Sequence, residues 1–234
     1  MSIAENVARV RERIAAAAAR VGRDHQSITL MAVSKTVDRE RIREASEAGI
    51  RVFGENRVQE FEQKFPDPGG RKGAEWHLIG HLQTNKANKA AEIFDAVDSL
   101  DSLRLAEKLD RAAASRARKL QVLIEINVGG EEAKSGVPLD SPQLEDLLRG
   151  VGRMEHLDVQ GLMAVPPFAE NPEATRPYFR LLRDLRDQIA QRKLPGIQMD
   201  VLSMGMSHDF EVAIEEGSTC VRVGTAIFGE RPKP

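Results

Sequence analysis

Hydrophobic residues in this chain fall in short runs, and between these runs they recur at helical spacing. The runs cover residues 29–34, 51–54, 76–79, 94–97, 121–128, 159–165, 199–204 and 220–223. They are rich in Val, Ile and Leu without strict alternation, which is typical of parallel β-strands buried on both faces. The pattern therefore predicts eight strands that alternate with helices.

The stretches between the runs carry helix start and stop signals. Ser141 and Asn171 each precede a proline, so the polar residue can cap a helix whose first position is the proline. The longest helix is expected to stop at residues 194–196, Leu-Pro-Gly. An additional N-terminal helix is predicted by the apolar positions Val7, Val10, Ile14 and Val21.

A strand–helix unit repeated eight times predicts an α/β fold, a single (β/α)8 barrel of the TIM type with an extra N-terminal helix. We expect one domain over residues 1–234, because no Gly/Ser-rich linker interrupts the alternation. An open, doubly wound sheet is the alternative. Eight units in a chain of this length favour closure.

Composition excludes several classes of function. Lysine and arginine number 34 against 36 aspartates and glutamates, interleaved along the chain, which gives no electrostatic case for nucleic acid. No apolar run approaches the roughly 18 residues of a membrane helix, and residues 1–23 lack the apolar core of a signal peptide. The lone Cys220 suits a reduced cytoplasm, and we expect a cytoplasmic monomer. His77 and His81 fall on different elements, so no metal site is predicted.

Candidate chemistry lies where barrel strands end, because barrel enzymes place their sites at the carboxyl ends of the strands. Lys35 closes the first apolar run, and a lysine held there can condense with an aldehyde. The loops at residues 203–207 and 224–225 follow the last two strands, where barrels frequently bind phosphate through glycine-rich backbone and hydroxyl groups. An aldehyde-reactive lysine beside a phosphate site indicates pyridoxal 5'-phosphate, with Arg222 facing its pyridine nitrogen.

Five motifs at these positions resemble those of the pyridoxal phosphate homeostasis proteins, single-barrel relatives of the alanine racemase N-terminal domain. They are AVSKT at 32–36, FGENRVQE at 53–60, WHLIGHLQTNK at 76–86, SMGMS at 203–207 and VRVGTAIFG at 221–229. The resemblance implies that Lys35 carries an internal aldimine, that Arg222 meets the pyridine nitrogen and that Asn56 lies near the ring. It also implies that Ser203, Met204, Gly224 and Thr225 contribute phosphate contacts.

Three functions are compatible with such a site. We expect a carrier or buffer of pyridoxal phosphate in intracellular homeostasis, without catalytic residues, whose further partners would be apo-enzymes that receive the cofactor transiently. The alternative is an amino-acid racemase, which needs an acid or base on each face of the substrate. The only tyrosine, Tyr178, is expected on the outside of the barrel, and the chain ends at Pro234 soon after the eighth strand, so we expect no second domain to supply one. An aldolase acting on sugar phosphates is the weakest candidate, because only Glu55 could assist the lysine.

Overall fold

The sheet closes on itself as a barrel. The computed structural model describes residues 1–131 and 135–230. Within them the strands are β1 (Thr29–Val33), β2 (Val52–Glu55), β3 (Glu75–Leu78), β4 (Ala96–Leu100), β5 (Leu120–Asn127), β6 (Val137–Pro138), β7 (Leu157–Met163), β8 (Ile197–Met206) and β9 (Cys220–Val223). Their order is β4-β3-β2-β1-β9-β8-β7-β5, and a β4–β5 pairing completes the ring, with β6 attached to β5 outside it. The predicted (β/α)8 barrel is confirmed.

Helices surround the barrel. They are α1 (Ile3–Arg20), α2 (Arg39–Glu47), α3 (Val58–Lys64), α4 (Ala87–Ile93), α5 (Leu103–Ala114), α6 (Pro142–Val151), α7 (Arg176–Gln191), α8 (Phe210–Glu215) and α9 (Thr225–Phe228). The extra helix α1 begins at a Ser2 capping box and packs against α8 and α9. Among the described helices, none combines the length and the apolarity needed to cross a membrane.

Two predicted helix boundaries are wrong, each for a local reason. Val21 lies just beyond α1 and is exposed, because the chain turns away at Gly22, whose φ is +67°. Asn171 does cap a helical turn, but it is a short 3-10 turn, and α7 begins only at Arg176. The predicted cap at Ser141 is confirmed, since its hydroxyl accepts a hydrogen bond from the amide of Leu144.

The two faces of the barrel wall differ in character. On the outer face, Phe53 and Trp76 stack at 4.9 Å and meet Phe61 of α3 in a large hydrophobic core between strands and helices. Because side chains alternate along a strand, the next residue after Trp76, His77, points to the interior, where it meets Asp98 at 3.0 Å. The barrel interior is therefore partly polar.

Candidate functional site

A cavity of about 390 Å³ opens at the carboxyl end of the strands. This volume lies within the range of small-molecule sites. Its walls include the predicted binding residues Lys35, Asn56, Arg222, Gly224 and Thr225. A larger cavity of about 560 Å³ lies at the other end, between α1 and the amino ends of β1 and β2, and no predicted binding residue lines it. The barrel therefore gathers most of the predicted site at the end where barrel chemistry occurs.

Lys35 lies two residues beyond the end of β1, in a turn, and is half-buried. The peptide before it is fixed to the neighbouring strand, because the amide of Ser34 donates to the carbonyl of Gly54 over 3.0 Å. The turn then passes through Thr36, whose φ of +64° lies in the left-handed region that residues other than glycine seldom adopt. The cavity wall thus includes an amine on an anchored segment.

Arg222 brings a buried positive charge to the cavity. It lies on β9 and is only 3% exposed. One terminal nitrogen donates to Ser203 Oγ over 2.7 Å and the other to the carbonyl of Ala164 over 2.8 Å. Burial lowers the pKa of this guanidinium, but an arginine starts so high that it keeps its proton. Both of these acceptor oxygens are neutral, so neither cancels the charge that Arg222 brings to the cavity.

The loops after β8 and β9 are joined by Ser207. Its Oγ accepts hydrogen bonds from the amides of Gly224 (3.1 Å) and Ala226 (3.3 Å). Ser207 lies outside the following helix, since Asp209 occupies the N-cap position of α8, which begins at Phe210. Instead Ser207 lines the cavity and marks the point where the two predicted phosphate loops converge.

Gly205 lets the chain bend at this point. Its φ is +91°, and a Cβ there would lie 2.5 Å from the Cβ of Ala213. Only glycine can therefore occupy the position without displacing α8.

Two predicted binding residues lie outside the cavity wall. Ser203 is fully buried and its Oγ accepts the hydrogen bond of Arg222, so its contact with the cavity is through that side chain. Met204 is fully buried in the hydrophobic core. Tyr178 lies on α7 and packs against the outer core, in agreement with its expected position outside the barrel.

Two ionisable groups of the barrel interior were not predicted as functional. Burial raises the pKa of Glu125 to about 7, helped by the nearby charge of Asp101 and opposed by Arg222. Burial alone would lower the pKa of His77, but the paired Asp98 carboxylate outweighs it and raises the value to about 10. Both residues lie within predominantly apolar runs, and the hydrophobic pattern of such a run does not show which of its polar residues have a function.

Comparison with known proteins covers almost the whole chain. A family model described as "Alanine racemase, N-terminal domain" matches residues 3–232. The pyridoxal phosphate homeostasis protein of Aquifex aeolicus (strain VF5) is 47% identical over 231 residues, which are 99% of this chain and 99% of that protein. Its counterpart in Escherichia coli (strain K12) is 45% identical, covering 98% and 97% of the two chains. Both relatives are named as homeostasis proteins rather than as enzymes.

A solved structure agrees with these relatives. PipY of Synechococcus elongatus PCC7942, solved with pyridoxal phosphate bound, is 36% identical and superposes with a TM-score of 0.83 over 97% of this chain and 100% of that one. The barrel, its cavity and these near full-length similarities lead to one conclusion. The chain belongs to the pyridoxal phosphate homeostasis protein family, whose fold is that of the alanine racemase N-terminal domain.

Proposed function

We propose that this protein binds pyridoxal 5'-phosphate covalently at Lys35 and acts in its intracellular homeostasis as a carrier or buffer. The observation that carries the proposal is the cavity itself, which brings together the Lys35 amine, the buried Arg222 cation and the joined loops at Ser207 and Gly224. These groups suit an aldehyde, a ring nitrogen and a phosphate respectively. The bound cofactor of PipY and the names of the homeostasis relatives support the same ligand.

Each residue has a role that follows from its chemistry. Lys35 would supply the nucleophilic nitrogen for the aldehyde of the cofactor, a condensation in which a C=N bond replaces the C=O bond, one water leaves and no oxidation state changes. Thr225 would donate its hydroxyl to the phosphate, and so would Ser207, whose Oγ accepts from the amides of Gly224 and Ala226. Asn56 would border the ring. Ser203 holds Arg222 in place, so we propose that it acts on the ligand through that arginine. Met204 would shape the wall from behind.

Arg222 also bears on catalysis. When bound, pyridoxal phosphate supplies an aldehyde and a ring that withdraws electrons best when its nitrogen is protonated. A permanent cation beside that nitrogen disfavours the proton. In the described part of the chain, the other titratable groups of the cavity wall, arginines apart, are His208, whose Nε2 lies 2.8 Å from the carbonyl of Glu170, and Glu230. We therefore propose binding without substantial turnover.

The remaining aspects of the proposal concern the setting. We propose one domain over residues 1–234 that works as a cytoplasmic monomer, in keeping with the single buried Cys220. The reversible link to Lys35 would allow the cofactor to pass transiently to apo-enzymes. The family match over residues 3–232 supports the single-domain interpretation.

Absorption spectroscopy tests the binding. Adding pyridoxal phosphate to the wild type should produce a saturable visible band, and Lys35→Ala should abolish it while circular dichroism stays unchanged. Lys86→Ala is the matched control, because Lys86 is also half-buried and lies in the recess that Asn56 shares with the cavity. A Lys35→Ala protein that kept the band at wild-type affinity would refute the assignment.

Exchange of the α-proton tests the absence of turnover. Alanine and other amino acids in deuterated water should shift the spectrum without sustained exchange. Lys35-dependent exchange and racemisation at roughly 1 per second or faster would favour the racemase instead.

A further inference from the structure

A charged cluster lies directly behind Lys35, on the side of β2 that faces α3. Lys64, at the end of α3, has a side chain only 9% exposed, and Glu55, at the end of β2, has one that is 0% exposed. Lys64 Nζ is 2.7 Å from Glu55 Oε1 and 3.3 Å from Glu60 Oε1. We call Glu55, Glu60 and Lys64 the anchor cluster.

The anchor cluster holds the chain on both sides of Lys35. Lys64 Nζ donates to the carbonyl of Ser34 over 2.9 Å, and Ser34 Oγ donates to Glu55 Oε1 over 2.7 Å. On the other side, the amide of Thr36 donates to Glu60 Oε1 over 2.5 Å. The residue before Lys35 and the residue after it are thus tied to one set of charges.

The bond at Thr36 maintains an unfavourable conformation. A threonine at φ +64° is strained, since its branched Cβ crowds the backbone there. Such a conformation persists only where the surroundings over-determine it, and strained residues of this kind cluster at functional sites. The Glu60 carboxylate supplies one such constraint on the turn that carries Lys35.

Stability alone is a poor explanation for the anchor cluster. Buried ion pairs seldom stabilise more than well-packed apolar residues would, because removing two charges from water is costly. Here that cost is increased, since Glu55 Oε2 is buried and has no hydrogen-bond partner among the residues that the structure describes. Unlike apolar contacts, the hydrogen bonds of such a cluster are directional, so they can fix the orientation of the turn that they hold.

Lys64 itself is a poor candidate for the cofactor amine. An ammonium has three donors, and Lys64 has three oxygen partners, on Glu55, Glu60 and Ser34. Lys64 is also absent from the described wall of the cavity. Its charge is used in holding the turn.

We propose that Glu55, Glu60 and Lys64 are positioning residues that set the direction of Lys35 Nζ toward the cavity, and that the covalent link to the cofactor forms slowly without them. This inference rests on the proposed function. Because none of the three lines the cavity among its described residues, they should affect the covalent step while leaving non-covalent recognition of the cofactor intact.

The test uses two variants at one position. Glu60→Gln retains a carbonyl oxygen that can accept from the Thr36 amide, whereas Glu60→Ala removes it. Glu60 is partly exposed, with 27% of its side chain accessible, so both variants should fold. A double variant, Glu55→Gln with Lys64→Met, removes the buried charges together. The rate of band formation with pyridoxal phosphate is measured by stopped flow, and the affinity for pyridoxine 5'-phosphate, which has no aldehyde, is measured separately.

We expect Glu60→Ala and the double variant to form the covalent link between about tenfold and a hundredfold more slowly, the range for small displacements of a reacting group. Glu60→Gln should stay within about threefold of the wild type, and pyridoxine 5'-phosphate should bind all variants within a similar margin. Wild-type rates in Glu60→Ala and the double variant would overturn the inference, and so would a parallel loss of pyridoxine 5'-phosphate binding. A wild type that forms no link at all would refute the proposed function itself.

Discussion

Two buried cations at the carboxyl end of the barrel, Lys64 and Arg222, have different kinds of hydrogen-bond partner. Lys64 is paired with two carboxylates, at 2.7 and 3.3 Å. Among the described residues, Arg222 donates to two neutral oxygens, Ser203 Oγ and the carbonyl of Ala164. In the described part of the chain, Asp98, Glu125 and Asp209 act on Arg222 from longer range, and none forms an ion pair with it.

The difference shows which charge serves the fold and which serves the ligand. A buried cation that is paired within the protein has little field left for other molecules. A buried cation held by neutral acceptors keeps its field, which a low-dielectric cavity strengthens. We infer that the anchor cluster fixes the position of the Lys35 amine, whereas Arg222 determines which group of the ligand binds beside its positive charge.

The largest expected effect comes from breaking the paired cation. Lys64→Met leaves Glu55 buried beside no cation, and at pH 8 we expect the free energy of unfolding to fall by about 3–5 kcal/mol. Burial already raises the pKa of Glu55, so acidification favours the neutral carboxyl and the loss should be smaller at pH 5 than at pH 8. Urea denaturation of the ligand-free protein at both pH values measures this.

Arg222→Met is the control for that experiment. Its lost hydrogen bonds go to neutral partners, so it should cost only about 1–3 kcal/mol. If Arg222→Met were the more damaging variant at pH 8, the contrast between the two cations would be reversed.

A variant of Glu125 tests whether this buried carboxyl offsets the positive charge of Arg222 inside the barrel. The pKa of Glu125 rises from 4.5 to about 7 on folding, so the unfolded chain loses this proton first as pH increases. The folded state therefore loses stability between about pH 4.5 and pH 7, by about 3 kcal/mol in total. Glu125→Gln should remove that loss, making the variant more stable than the wild type at pH 8 but not at pH 4.5.

Urea denaturation across this pH range provides the measurement. A Glu125→Gln variant that was less stable than the wild type at pH 8 would mean that Glu125 is an ion-pair partner of Arg222. The positive charge of Arg222 would then be neutralised by an ion pair within the protein, like that of Lys64.

A smaller effect is expected on the phosphate side of the cavity. Thr225 lines the cavity at the first residue of α9, and we expect Thr225→Ala to weaken pyridoxal phosphate binding by about 1.5–3 kcal/mol, the range for hydrogen bonds to charged groups. Pyridoxal, which lacks the phosphate, should bind weakly and equally to both proteins. Equal losses for the two ligands would remove Thr225 from the phosphate site.

The sequence predicts the strands well where both faces of the wall are apolar. The predicted run at 220–223 coincides with β9, Cys220–Val223. The run at 94–97 is displaced from β4, Ala96–Leu100, because Phe94 belongs to the end of α4 and the strand continues through the buried polar residues Asp98 and Ser99. A search for apolar runs misses strand residues that are polar and point into the barrel interior.

The candidate site likewise contains residues that could be predicted from the sequence and residues that could not. Lys35, Arg222 and the two loops could be predicted, since strand order alone brings strand ends to one rim. The anchor cluster could not. Glu55 could be expected near Lys35, but its pairing with Lys64 is not evident until the turn at Ser34 is placed between them. The hydrogen bonds of Ser207 could not be predicted for a similar reason, because its partners Gly224 and Ala226 lie beyond the end of a different strand, β9.

Borohydride reduction followed by peptide mapping identifies the amine that binds the cofactor. Reduction of the protein with bound pyridoxal phosphate should fix one pyridoxyl group per chain, on the peptide containing Lys35. Lys64, close in space but fully engaged with oxygens, should stay unlabelled. A label found mainly on Lys64 or Lys86 of the wild type would show that Lys35 is not the amine that binds the cofactor.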